Sequence, residues 1–216
     1  MRTTLWRQTV TGLRVLIVFT LLCGIAYSLV SYGVAHIPGL AGNAEGSIVD
    51  GGDGTPAGSS LIGIDPVAAE DPLAGSSINT GPVADPYFHT RPAASSENPL
   101  GPADTSTSGG SNKGTFDAKL LDTINQRKQQ IAAREGVPES AIPADAVTAS
   151  ASGLDPDISP EYAAIQVARV ARVTGLSTDA VQQLVAENSQ GRILGFLGEP
   201  TVNVTTLNLA IAAARG

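Results

Sequence analysis

Hydrophobic positions are concentrated first in one uninterrupted stretch and then fall into short periodic groups. From Val15 to Ala35 no residue is charged, a run of 21 that includes Val15, Leu16, Ile17, Val18, Phe19, Leu21, Leu22, Ile25, Leu29 and Val30. A bilayer core about 30 Å thick needs about 20 residues of α-helix. The pattern therefore predicts a transmembrane helix over residues 15–36. From Pro38 to about Pro82 the chain is rich in Gly, Ser, Asp and Pro. Its apolar islands, Ser47-Ile48-Val49 and Ser60-Leu61-Ile62-Gly63-Ile64, read as short strands, with Asp65 to Pro82 a flexible excursion. Tyr87-Phe88-His89-Thr90-Arg91-Pro92 is the densest aromatic spot beyond the anchor, and a residue before proline prefers extended backbone. The polar stretch Ala93 to Gly114 resembles disorder by composition.

The second half switches to a helical period. Phe116, Leu120, Leu121, Ile124 and Ile131 share one face of a helix that Gly136-Val137-Pro138 stops. Ser159-Pro160-Glu161 predicts a helix start: a capping hydroxyl, proline in the first turn, and an acid near the positive end of the dipole. Tyr162, Ile165, Val170 and Val173 form its apolar face, ending at Gly175. Ser177 caps another helix carrying Val181, Leu184 and Val185. Thr201-Val202-Asn203-Val204 reads as a strand, and Leu207 to Ala214 as a last helix. The expected fold is an α+β (mixed α/β) extracytoplasmic domain with one N-terminal transmembrane helix. Its parts are residues 1–14 (cytoplasmic), 15–36 (span), 37–115 (loop-rich, with short strands) and 116–216 (helix-rich).

Charge gives the span a direction. Arg2, Arg7 and Arg14 precede it and the next basic residue is Arg91, so the positive-inside rule leaves the N-terminus in the cytoplasm. Three of the 13 basic residues precede the span and all 20 acidic residues follow it, which gives the remainder a formal charge of −10. That disfavours nucleic acid or anionic lipid as a partner. A cleavable signal peptide competes with the anchor, but its apolar core is usually shorter and Gly33-Val34-Ala35 matches a cleavage site only loosely. Leu22 before Cys23 argues against a lipoprotein signal. Cys23, the only cysteine, falls within the span, so the domain beyond it has no disulfide.

Catalytic constellations are missing from the pattern. The two histidines, His36 and His89, and no exported cysteine make no metal-ligand cluster. Gly110-Ser111-Asn112-Lys113-Gly114-Thr115 has the ingredients of a phosphate-cradling loop in the wrong order, and Ala149-Ser150-Ala151-Ser152-Gly153 is not a nucleophile elbow. Asp155 and Asp157 flank Pro156 and read as a turn and cap. Tyr87, Phe88, His89 and Arg91 are either a docking or substrate-proximal loop or an edge strand filling the core. Ser108, Gly109, Gly110, Ser111 and Asn112, and likewise Ser150, Ser152, Gly153 and Asp155, are small-residue stretches suited to sharp turns or close backbone approach. Gln166 and Arg169 share one side of a helix. A solvated polar face is the plain expectation for them.

In order along the chain, these blocks resemble the KdpC family. They are Gly46-Ser47-Ile48, Gly58-Ser59-Ser60-Leu61-Ile62-Gly63, Tyr87 to Pro92, Ser108 to Asn112, Val147 to Asp155 with Ile158-Ser159-Pro160, Gln166 to Ala171, and Gly198-Glu199-Pro200-Thr201-Val202-Asn203-Val204 with Leu207-Asn208. Ile64 and Thr90 depart from the family pattern, and the loop from Asp65 to Pro82 is longer than usual. The resemblance implies a non-catalytic subunit of an ATP-driven potassium importer. Its partners would be a channel-like potassium-binding subunit, a P-type ATPase catalytic subunit and a small hydrophobic subunit. It further implies a catalytic chaperone that raises ATP affinity, with Gln166 and neighbouring Arg169 as the nucleotide residues. The topology pulls the other way, because Gln166 belongs to the exported domain. The alternative is a structural cap on the channel subunit near the ion entrance, without nucleotide contact.

Overall fold

A computed structural model describes residues 2–63, 85–94, 96, 100 and 104–215. The excursion from Asp65 to Pro82 and parts of the polar run after Ala93 lie outside them. The chain divides into two units, Met1–Ser47 and Ile48–Gly216.

The first unit is a continuous helix followed by one short turn of helix. α1 (Arg2–Phe19) passes through a π-helical stretch (Thr20–Ala26) into α2 (Tyr27–Ala35), and α3 spans Ala41–Ala44. Residues Thr3–Ala35 are long and apolar enough to cross a membrane. Helix thus extends about three turns before the uncharged run, farther than the expected boundary at residue 15. Arg7 and Arg14 sit on that extension. His36 ends α2, its Nδ1 lying 2.8 Å from the carbonyl oxygen of Tyr32.

In the second unit helices pack around a small sheet. β1 (Ile48–Asp50) and β2 (Pro56–Ser59) form an antiparallel hairpin. Over its described residues, Ser60 to Gly63, the second apolar island is not a strand: the strand precedes it, and Ile62 N–H turns back to donate to the carbonyl of Ser59 at 3.2 Å. α4 (Ala118–Glu135), a 3₁₀ turn (Glu139–Ala141) and α5 (Ala144–Val147) lead to β3 (Asp157–Ile158). Next come α6 (Pro160–Thr174), α7 (Thr178–Glu187), β4 (Ser189–Gln190), β5 (Thr201–Asn203) and α8 (Val204–Ala214). The sheet order β3-β5-β4 is antiparallel throughout.

Most helix ends fall where the capping residues put them. Ser159 Oγ accepts from Tyr162 N–H at 3.0 Å, Ser177 Oγ from Ala180 N–H at 3.1 Å, and Gly136 and Gly175 adopt left-handed φ of 70° and 78°. Two starts differ from expectation. Asp117 caps α4, so Phe116 lies outside the helix and is 96% exposed instead of lining its apolar face. Asn203, expected inside a strand, also caps α8 through Thr206 N–H, so that helix begins at Val204, three residues early.

α6 is the centre of the core. Tyr162, Ala163, Val167 and Val170 share one buried cluster with Ile131 of α4, Val181 of α7, Val202 of β5, and Leu207 and Ile211 of α8. Phe88, which belongs to no regular element, is fully buried in the same cluster.

Candidate functional site

The candidate residues converge on the stretch from Asp85 to Pro92. It belongs to no strand or helix, and the chain bends at Tyr87. What holds it is a set of side chains standing where neighbouring strands would be. Asn208 on α8 accepts from Phe88 N–H at 2.8 Å and donates to the Phe88 carbonyl at 2.9 Å. Gln166 on α6 does the same for the next residue, accepting from His89 N–H at 2.8 Å and donating to its carbonyl at 3.3 Å. Phe88 and His89 are successive residues, and successive residues of a non-helical chain can present their backbone groups to opposite sides. Two side-chain amides on two helices can therefore satisfy both sides. Buried backbone donors and acceptors need such partners.

Arg169 completes the clamp. It is fully buried, not part of a solvated polar face, and so is Gln166. The expectation failed because the surface they face is the 85–92 segment, about 80 positions earlier in sequence. Arg169 Nη1 donates to the carbonyls of Asp85 at 2.7 Å and Tyr87 at 2.8 Å; Nε donates to Glu135 Oε2 at 2.9 Å and Nη2 to Gln166 Oε1 at 3.1 Å. Glu135, at the end of α4, is bridged on its other oxygen by Arg134 Nε at 2.6 Å, and Arg134 Nη2 reaches the Tyr162 hydroxyl at 3.0 Å. Asp85 accepts from Tyr87 N–H at 2.8 Å and lies 2.7 Å from His89 Nε2. Buried charges are tolerable when paired and hydrogen-bonded. Here two arginines oppose two carboxylates. Burial pushes Asp85 upward, but the hydrogen bond and charge of His89, with Arg169 and the Tyr87 amide, outweigh it and hold the group at about 2. Glu135 is likewise pushed up by burial and pulled below its ordinary value by Arg134 and Arg169.

Beyond this clamp the small-residue stretches meet one another. Arg91 Nη1 bridges Asp155 Oδ2 at 3.0 Å, and the Pro92 carbonyl accepts from Ser150 N–H at 3.0 Å. Ser150, buried, accepts from Gly153 N–H at 2.9 Å and Ser152 N–H at 3.2 Å. Gly109 N–H donates to the Ser152 carbonyl at 2.8 Å, and Ser108 Oγ to the same oxygen at 3.1 Å. A Cβ on Gly110 would sit 3.2 Å from the Ala151 oxygen, so a side chain there would need these backbones to give way slightly. Ser111 and Asn112 lie exposed past this contact. Asp155 closes the expected turn by accepting from Asp157 N–H at 3.1 Å.

The tightest approach belongs to Gly63, whose N–H donates to the Leu154 carbonyl at 2.9 Å. A Cβ there would stand 2.3 Å from the Asp155 oxygen. Gly63→Ala is expected to lower stability by about 1–3 kcal/mol, the usual cost of forcing extra volume into packed structure. Chemical denaturation checks it, with Gly52→Ala, where nothing lies within 4 Å, as the silent control.

Asp85, Arg134, Glu135 and Asn208 were not among the residues singled out as a site in the sequence. Glu135 carried a signal. A carboxylate in the last turn of a helix opposes the dipole, so its position asks for another reason, and two arginines supply it. Chemically, the arrangement is a structural clamp. The amide atoms of Gln166 and four of the five N–H groups of Arg169 are engaged inside the domain. These residues do not fit a bound nucleotide in this state, and no group of three metal-ligating side chains occurs among the described residues.

The whole-chain comparison decides the family. A family model described as "K+-transporting ATPase, c chain" (KdpC) matches residues 9–213. The chain belongs to the KdpC family. Among similar KdpC proteins, the potassium-transporting ATPase KdpC subunit of Kineococcus radiotolerans is 42% identical over 98% of this chain and 96% of its own. That of Bradyrhizobium diazoefficiens is 42% identical over 92% and 93%, and that of Geobacter sulfurreducens 42% over 91% and 92%. Matches of this extent include both the apolar N-terminal helix and the clamped domain, so the KdpC pattern takes in the whole molecule.

Proposed function

We propose that this KdpC-family chain is a non-catalytic assembly subunit of an ATP-driven potassium importer. The apolar helix crosses the membrane with Arg2, Arg7 and Arg14 on the cytoplasmic side, and the acidic domain lies outside. Its partners are the channel-like, P-type ATPase and small hydrophobic subunits of the same complex. The observation that carries this reading is the burial of Gln166. A residue implied as a nucleotide contact has both its amide oxygen and its amide nitrogen bonded to the backbone of His89. A pre-formed, internally satisfied body suits a structural cap better than a nucleotide site.

The alternative, a chaperone that raises ATP affinity through Gln166, makes a different prediction for one variant. Gln166→Ala removes the side chain that accepts from His89 N–H and donates to its carbonyl, at a cost of about 1–3 kcal/mol. Stability and the yield of assembled complex are expected to fall, with the ATP dependence of the complexes that do form unchanged. ATPase titrations on purified complex check it. A several-fold rise in the ATP concentration for half-maximal rate, at equal assembly, would establish the nucleotide role instead.

A further inference from the structure

The loop between β4 and β5 is built in a way the domain's own packing does not explain. Ile193, Leu194, Phe196 and Leu197 are 70%, 79%, 68% and 48% exposed, the densest exposed apolar group in the second unit among the described residues. Flexibility is not the reason. Ile193 N–H donates to the Leu197 carbonyl at 2.9 Å and Leu197 N–H returns to Ile193 at 3.0 Å, closing a five-residue knob. Gly195 N–H donates to Arg192 at 3.0 Å, and at the base Arg192 Nη2 bridges Glu199 Oε2 at 2.6 Å.

Leu194 is the informative residue. Its φ is 55°, in the left-handed region where a leucine is disfavoured by about 1 kcal/mol or more. Glycine or asparagine would fit that backbone. Water would not favour leucine either. A residue that is costly both in conformation and in exposure is explained by something that covers it.

We infer that the Ile193–Leu197 knob is a docking plug that inserts into an uncharged apolar cavity on another subunit of the same ATPase assembly. Three features select that occupant. A narrow protrusion needs a concave partner, which a second copy would have to supply on this same small domain. The only charges of the loop, Arg192 and Glu199, neutralise each other at its base, so a complementary cavity is uncharged. A bilayer surface is the poorer fit, because this loop offers no unpaired cation to lipid headgroups and the exported part carries a net charge of −10. Exposed apolar groups of this kind mark interaction sites, and a few such side chains dominate interface energy.

This inference rests on the assembly reading above, and the test separates the two. A photo-crosslinking phenylalanine analogue at position 196, in full-length chain expressed with the complex in membranes, is expected to give an adduct with another subunit, identified by peptide mass. The same probe at exposed Gln182 is the control for random collision. The double variant Leu194→Asn, Phe196→Ser is expected to retain the other subunits about tenfold less well, with an unchanged thermal transition of the solubilised chain. Adducts only with lipid or a second copy, or full retention by the double variant, would overturn the plug and leave the assembly reading standing. If the unsubstituted chain does not hold the other subunits, both fail together.

Discussion

Arg169→Ala is expected to leave the domain largely unfolded at temperatures where the unsubstituted chain is intact. The guanidinium touches Glu135 on α4, Gln166 on its own helix and two carbonyls of the 85–92 segment at once. Removing one partner of a buried ion pair costs about 3–5 kcal/mol, because the remaining charge stays in a low-dielectric interior. Here the Asp85 and Tyr87 carbonyls also lose their donor. Set against the roughly 5–15 kcal/mol that holds an ordinary domain together, the loss is decisive. Arg169→Lys should be intermediate: it keeps the charge but cannot aim separate N–H groups at four acceptors in one plane. Urea denaturation of the detergent-purified chain, followed by far-UV circular dichroism, gives the answer. A shift below about 1 kcal/mol for the alanine variant would mean that the 85–92 segment is held by something else.

How much of this was visible in the sequence depends on how far apart the interacting residues lie. Local signals worked. Ser159 with Pro160, Ser177, Gly136 and Gly175 place helix ends through hydrogen bonds within a few residues. Even these faltered where a polar residue served two elements, as Asn203 does in ending β5 and capping α8. The uncharged run announced the apolar helix because a bilayer asks only for length and composition. The clamp was opaque for the opposite reason. Gln166 and Arg169 at i and i+3 look like a wet face on any helical projection. Only the arrival of residues 85–92, with no periodicity of their own, turns that face into an interior. The family resemblance brought the blocks together as a list, yet it offered a nucleotide where the packing offers backbone partners.

This explains why the candidate residues cluster without forming a reactive centre. Tyr87 to Pro92 is non-regular chain whose backbone partners are Gln166, Asn208 and Arg169, while Arg91 and Pro92 continue the contacts onto the 148–155 loop. That loop in turn receives Gly63 and Gly109 by direct backbone bonds. Distant stretches of chain are thus joined by directed polar contacts around the buried Phe88 ring. Hydrogen-bonded joints are specific in direction but weaken when their charges change, so the domain should be sensitive to acid.

Lowering the pH is accordingly expected to weaken the domain in a defined window. Asp85 is held at about 2 against an ordinary value of 3.8. A group whose pKa is depressed by folding contributes stability that is complete above its unfolded value and is lost as pH falls through the folded one. For Asp85 that contribution is about 2 kcal/mol, present above about pH 4 and disappearing towards pH 2. Glu135, lowered by Arg134 and Arg169, acts in the same direction. Asp157 opposes them: burial and the neighbouring Asp155 raise it, so protonating it favours the folded state. It is the lesser influence, lying half-buried at the start of β3. Urea midpoints measured from pH 6 down to pH 2 should therefore fall mainly below pH 4. In Asp85→Asn the curve should start lower and run flatter through the same window, since the titrating group is gone. A variant curve parallel to that of the unsubstituted chain would show that Asp85 does not carry the acid sensitivity and that the His89–Asp85 contact adds nothing to the clamp.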